Sequence, residues 1–335
     1  MKRAAGVLLA LLAGACGTEF DGDASMDPLP TEPVDGFVDV GGITLHYRDY
    51  GGAGDLIVLV PSLGQTAHVY DLLAPHLTHR YRVLAVTKRW HGTSDTTGLD
   101  FDLDTLANDL AGFIDHFADA PAIVGGWSMA GLELPALARQ RPDLVRALIF
   151  ANAVYAPMPQ PPPELWPPGQ VLPDSVYPSV GAAADHLRHM AEIPRDAMIA
   201  FLGSVLYERD DGMYVWGRPH NSPAALGAFM ALEDEWTEDF YEGIDLPVLA
   251  IRVQQSHALA AELRARGFPQ DSIDVALRFA REYDDVSKTR GIESLLASVP
   301  NAEVVVLDSV SHNFLMDAPA VAARVMDDFL RRIER

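Results

Sequence analysis

Residues 122–131 read AIVGGWSMAG. The apolar run Ala122, Ile123 and Val124 predicts a buried strand, and Leu132, Leu134, Leu137 and Ala138 beyond Met129 recur at helical spacing. Between them Ser128 is flanked by small residues, Gly126 two places before it and Ala130 two places after it. The chain can therefore turn sharply from strand to helix while holding the serine in a strained conformation at the tip. Such a turn presents the hydroxyl at the C-terminal end of the strand. The N–H groups that open the following helix then point at any negative charge developing beside it.

Outward from this stretch the chain alternates strand and helix signals. Upstream, Leu103, Leu106, Leu110, Phe113, Ile114 and Phe117 form a helical stripe leading into the serine strand. Before that come Phe37–Val40 and Ile43–Asp49, two alternating segments about Gly41-Gly42 that signal a hairpin. Leu56–Val60 is a continuous apolar run suited to a central parallel strand. The spacing of Val69, Leu72, Leu73 and Leu77 predicts a helix over Thr66–Leu77, followed by a strand at Tyr81–Thr87. Downstream, Val145–Ala151, Pro247–Val253 and Glu303–Leu307 are further apolar strands, and a helix is expected from about Ala318 to Ile333. This order predicts an α/β fold with a doubly wound, mostly parallel eight-stranded sheet, in which ligands sit at the C-terminal ends of the strands. The rhythm breaks at residues 157–243, which open on the proline cluster MPQPPPELWPPGQ and carry helical stretches at Ala182–Met190 and Ala197–Leu206.

A serine hydroxyl is a poor nucleophile near neutral pH and requires a base within hydrogen-bond reach. Of eleven histidines, only His312 lies a few residues past the last expected strand and ahead of a helix, in SVSHNFLMDAP. The serine turn resembles the nucleophile elbow of the α/β-hydrolase family, with Ala130 in place of the second glycine of G-x-S-x-G. The His312 segment, with Asp317 and Pro319 shortly after it, resembles that family's histidine loop. GITLHYRDYGG, IVLVPSLGQTAHVYDLLAPHL and YRVLAVTKRWHGTSD resemble the N-terminal half of esterase-like members, with Trp90 replacing a glycine of the family's R-G-H-G-x-S segment. The resemblance covers about residues 36–335 and is weakest over 157–243. It implies a hydrolase core at 37–156 and 244–335 and a helical cap at 157–243.

What the resemblance implies for activity is a serine hydrolase that needs no metal or cofactor and acts on a small carboxylic ester or lactone. Ser128 would attack, His312 would carry the proton, and the backbone amides of Leu63 and Met129 would hold the oxyanion. Dehalogenase and epoxide hydrolase chemistry is disfavoured, because members with those activities have aspartate where Ser128 stands. Two departures from the family pattern stand out. Pro61-Ser62 replaces the His-Gly that commonly precedes the first oxyanion donor, and the usual triad acid is missing, Ser256 falling at its place in IRVQQSH. Some members carry the acid after the sixth strand, where this chain has Asn152, whose amide oxygen would accept a hydrogen bond from the imidazole. Asp308, Asp284 and Asp285 are the other candidates. The missing acid also motivates an alternative: a binding or sensing protein on a degenerate scaffold.

The chain has 335 residues, 49% of them hydrophobic, enough to bury a large core. Its first residues, MKRAAGVLLALLAGAC, join two basic residues to an apolar run too short to span a bilayer, as in a secretory signal. Cys16, the one cysteine, stands where a bacterial lipobox has its lipidated residue, which makes residues 1–16 a signal and 17–36 an acidic, proline-bearing tether. No intramolecular disulfide is possible with one cysteine. The expected location is the cell envelope (periplasm or outer membrane), with contact to membrane only through a lipidated Cys16; plain secretion after cleavage near Cys16 is the alternative. A formal charge of −22 disfavours nucleic acid as a partner, since phosphate recognition relies on clustered Lys and Arg.

Overall fold

The computed structural model describes residues 32–98, 100–157, 176–187, 193–217, 222–237, 239–254, 259–260, 263–264, 268–308 and 310–334. The expected signal with Cys16, and Ser256, lie outside the described residues. A single eight-stranded sheet organises the fold. Its strands are β1 (Val34–Val40), β2 (Ile43–Asp49), β3 (Leu56–Val60), β4 (Arg82–Val86), β5 (Ala122–Trp127), β6 (Val145–Ala151), β9 (Val248–Val253) and β10 (Ala302–Leu307). They run in the order β1-β2-β4-β3-β5-β6-β9-β10. β1 and β2 form the antiparallel hairpin expected at Gly41-Gly42, with Val40 opposite Ile43. From β4 to β10 every pairing is parallel. β1 begins at Val34, inside the stretch read as tether.

Each central strand is buried on both faces, and its alternating side chains divide between two layers. Val58, Val60, Val124, Leu148 and Phe150 pack beneath α1 (Leu103–Phe117) and α2 (Glu133–Gln140). Ile57, Leu59, Ile123, Ile149 and Ile251 face the opposite layer, which contains Ala322, Ala323, Met326, Phe329 and Leu330 of the final helix, Pro319–Ile333. Asp102 caps α1 by accepting from Thr105 N at 2.6 Å.

The helix expected over Thr66–Leu77 is instead two 3₁₀ turns, Ala67–Tyr70 and Ala74–His76. Pro75 explains the break: it has no N–H to donate and its ring would strike the carbonyl of residue 71 in a continuous α-helix. Between β6 and β9 the described residues form α3 (Val180–Leu187), α4 (Arg195–Val205), a small hairpin of β7 (Leu206–Glu208) and β8 (Tyr214–Trp216), and α5 (Pro223–Ala231). Contacts from this segment reach the loops after β3 and β4: Ser204 Oγ lies 2.5 Å from Thr66 Oγ1, Trp216 Nε1 donates to Gly64 O at 3.3 Å, and the Phe229 ring meets His91. After β9 come α6 (Gln270–Phe279), a π-helical turn at Ala280–Asp284, and α7 (Asp285–Ser298). Among the described residues no helix is long and apolar enough to cross a membrane.

Candidate active site

Ser128 sits where β5 ends, with φ +54°, a left-handed conformation that a side chain adopts only under constraint. The constraint is packing between small residues. A Cβ on Gly126 would meet Ala130 Cβ at 3.1 Å and Leu134 Cδ1 at 3.0 Å, so the methyl of Ala130 fits because Gly126 has none. Gly131 similarly lies against the backbone carbonyl of Ala153, leaving no room for a side chain. The 3₁₀ turn Ser128–Gly131 then leads into α2.

Val60 and Gly126 are partners in the parallel pairing of β3 and β5, so the loop carrying Leu63 emerges beside the serine turn carrying Met129. That loop is held at two points: Tyr70 Oη donates to Val60 O at 2.6 Å and Trp216 holds Gly64. Pro61-Ser62 therefore leaves the expected oxyanion donors on neighbouring loops.

His312 follows β10 and is fixed by Trp127, whose Nε1 donates to His312 O at 3.1 Å and whose ring lies 5.1 Å from the imidazole. Asp317 shapes this loop by accepting from Ser311 Oγ, which also accepts from Asn313 N at 2.9 Å. The partner of His312 is Asn152, its Nδ2 lying 2.6 Å from His312 Nδ1. The expected polarity of that contact is reversed. Asn152 leaves β6 at φ +49°, and its Oδ1 accepts from Val253 N at 3.1 Å. With the oxygen so engaged, the amide nitrogen faces the imidazole. Leaving Val253 N unpaired in the sheet would cost about 1–3 kcal/mol, which fixes the amide orientation.

The other acid candidates lie elsewhere. Asp308 is exposed just past β10, and no hydrogen bond connects it to His312 among the described residues. Asp284 accepts from Lys288 Nζ at 2.7 Å, and Asp285 lies 3.8 Å from Arg252. Of the two candidates for the third position, the structure brings Asn152, at the end of β6, to the imidazole, and gives Asp308 no hydrogen bond to it among the described residues.

Trp127, from within the serine stretch, enters the site, and so do two residues that no motif announces, Tyr155 and Lys288. Tyr155 places its Oη 3.5 Å from Ser128 Oγ while donating to Asn152 O at 3.0 Å. Lys288, 1% exposed, sets its Nζ 5.7 Å from the centre of the Tyr155 ring. α7 approaches this closely because Gly291 packs on the Tyr155 backbone, where a Cβ would collide. Burial first, and the Lys288 charge second, push the His312 imidazole down to about 3, so it is neutral at pH 7. No hydrogen bond joins Ser128 to His312 among the described residues.

Among the described residues one cluster has metal-ligand chemistry, Asp35, His46 and His68. Arg48 Nη1 already donates to both Asp35 oxygens, at 2.9 and 3.1 Å, and lies 3.3 Å from His68 Nε2. A guanidinium in that position neutralises the carboxylate and repels a cation, so the group is an ion-pair network.

Residues 57–325 match the model of the alpha/beta hydrolase family. A 2-(acetamidomethylene)succinate hydrolase of Mesorhizobium japonicum is 33% identical over 112 residues, 33% of this chain and 40% of that protein's length. A pimeloyl-[acyl-carrier protein] methyl ester esterase of Neisseria meningitidis is 29% identical over 274 residues, 81% of this chain and 91% of its own. The crystal structure of E-2-(acetamidomethylene)succinate hydrolase superposes with TM-score 0.64 at 23% identity, covering 90% of this chain and 100% of that one, a likeness of fold.

Proposed function

The chain belongs to the alpha/beta hydrolase family and is a hydrolytic enzyme, and we propose that it cleaves a carboxylic ester or lactone through an acyl group carried on Ser128. One observation carries this reading: the left-handed Ser128 at the end of β5, with a histidine in the loop after β10 whose far nitrogen is held by the end of β6. In the reaction Ser128 Oγ attacks the carbonyl carbon and its proton passes to His312 Nε2, which must carry a lone pair at that step. The oxygen that gains charge is held by the amides of Leu63 and Met129. His312 returns the proton to the departing alkoxide, and water, deprotonated by the same nitrogen, releases the acid. The relative named for a methyl ester supports an ester as the bond cleaved. Residues 157–243 are read as the cap, a reading supported by the contacts of their described part with the loops after β3 and β4. The enzyme is exported and anchored through a lipidated Cys16, a reading supported by the sequence of residues 1–16.

Ser128→Ala tests the chemistry on p-nitrophenyl butyrate. Removing the serine of a complete triad lowers turnover by about 10⁶, and a triad without its acid has already forfeited about 10⁴. Turnover is therefore expected to fall by at least about a hundredfold, with unchanged thermal unfolding. A variant retaining more than a few per cent of wild-type turnover would exclude Ser128 as the nucleophile.

A further inference from the structure

We infer that Asn152 is a positioning residue that holds His312 with its proton on Nε2, so the resting site keeps the imidazole in the form that cannot accept the Ser128 proton. The inference rests on the reading of Ser128 and His312 as nucleophile and base, and it starts from the sheet. Asn152 N donates to Ile251 O at 2.7 Å, the last regular rung between β6 and β9. The next rung of a parallel ladder would pair Val253 N with Asn152 O. Instead the backbone turns away at φ +49°, its carbonyl accepts from Tyr155 Oη, and the side-chain Oδ1 takes over the Val253 N–H. The side chain thus completes the sheet, and turning the amide over would set its NH₂ against that N–H.

With Oδ1 committed, Nδ2 is the group 2.6 Å from His312 Nδ1, and it has only hydrogens to offer. His312 Nδ1 must then be the acceptor, and a neutral imidazole with a bare Nδ1 carries its proton on Nε2. Protonating both nitrogens is opposed by the same amide, by burial of the ring, which lowers its basicity most, and by the nearby Lys288. The Trp127 ring and its hydrogen bond to the His312 carbonyl hold the loop in this orientation. Each turnover accordingly begins with the proton leaving Nε2 for solvent and another arriving on Nδ1, against the amide. Aspartate at the same position would accept from Val253 N with one oxygen and from Nδ1–H with the other, freeing the Nε2 lone pair.

The test is ¹⁵N–¹H NMR of the histidine-labelled full chain, with the His312 signals assigned by their absence from His312→Gln, alongside turnover of p-nitrophenyl butyrate. In the wild type Nε2 should be the protonated, pyrrole-like nitrogen and Nδ1 the pyridine-like one. In Asn152→Asp the two should exchange and turnover should rise at least about tenfold, a fraction of the roughly 10⁴ that the same exchange in reverse removes from a serine protease. A wild type protonated on Nδ1 would overturn the inference, as would an esterase-active wild type whose Asn152→Asp form has switched nitrogens and a rise below tenfold. If Asn152→Asp does not fold, the wild-type spectrum alone decides. The expected spectra with no esterase activity in either protein would support the tautomer and count against Ser128 as nucleophile.

Discussion

Glu133, in the first turn of α2, is 1% exposed, and its carboxylate lies 3.4 Å from Lys88 Nζ in the loop that follows β4. Burial pushes the Glu133 carboxyl up to about 7, with Lys88 only partly offsetting it. A carboxyl raised above its unfolded value binds a proton on folding. Its contribution to stability is therefore complete below about 4.5 and is lost as the pH rises through about 7. The full effect is on the order of 3 kcal/mol. In Glu133→Gln that decline should vanish, so the melting temperature of the variant relative to wild type climbs between pH 5 and pH 8. Parallel curves over that interval would show that the pair does not titrate there. Left-handed backbone marks other single residues. Besides Ser128 and Asn152, only Trp90 among the described non-glycine residues has positive φ, at +63°, where the family pattern has glycine. Its indole nitrogen donates to Gly98 O at 2.6 Å, and its ring packs against Phe101, contacts that offset the strain.

At the scale of elements, strands were read more faithfully than the turns between them. Leu56–Val60 and Val145–Ala151 coincide with β3 and β6, because continuous apolar runs of this length are buried on both faces and little else accommodates them. Leu103–Phe117 coincides with α1 for the analogous reason, a stripe of apolar residues that must face the sheet. Thr66–Leu77 differs from its expected helix because the apolar spacing says nothing of Pro75, and the proline governs the backbone there. The site divides in the same way. The placement of Ser128 at the end of β5 and of His312 after β10 is legible because strand, turn and helix surround them in order. The polarity of Asn152 is not, since it depends on which sheet amide its oxygen finds across 101 residues of sequence. Lys288 and Tyr155 meet only because Gly291 lets α7 approach, a packing relation without sequence periodicity.

For the whole molecule, a charge of −22 stands beside the N-terminal stretch MKRAAGVLLALLAGAC, for which we propose export and lipidation. The mature chain is expected to begin at a lipid-bearing Cys16, which mass spectrometry of the native N-terminus checks, an unmodified start elsewhere being the contrary result. Cys16→Ser should leave catalytic constants unchanged, the tether separating anchor from site. The proposal that Ser128 carries the acyl group is open to a direct chemical test. The most direct measurement is intact-mass and peptide mapping after treatment with a fluorophosphonate, which bonds only to an activated hydroxyl. A single adduct is expected on Ser128, absent in Ser128→Ala and formed at least about tenfold faster in Asn152→Asp, in which the base is freed. No adduct in either protein, or an adduct that survives Ser128→Ala, would contradict it.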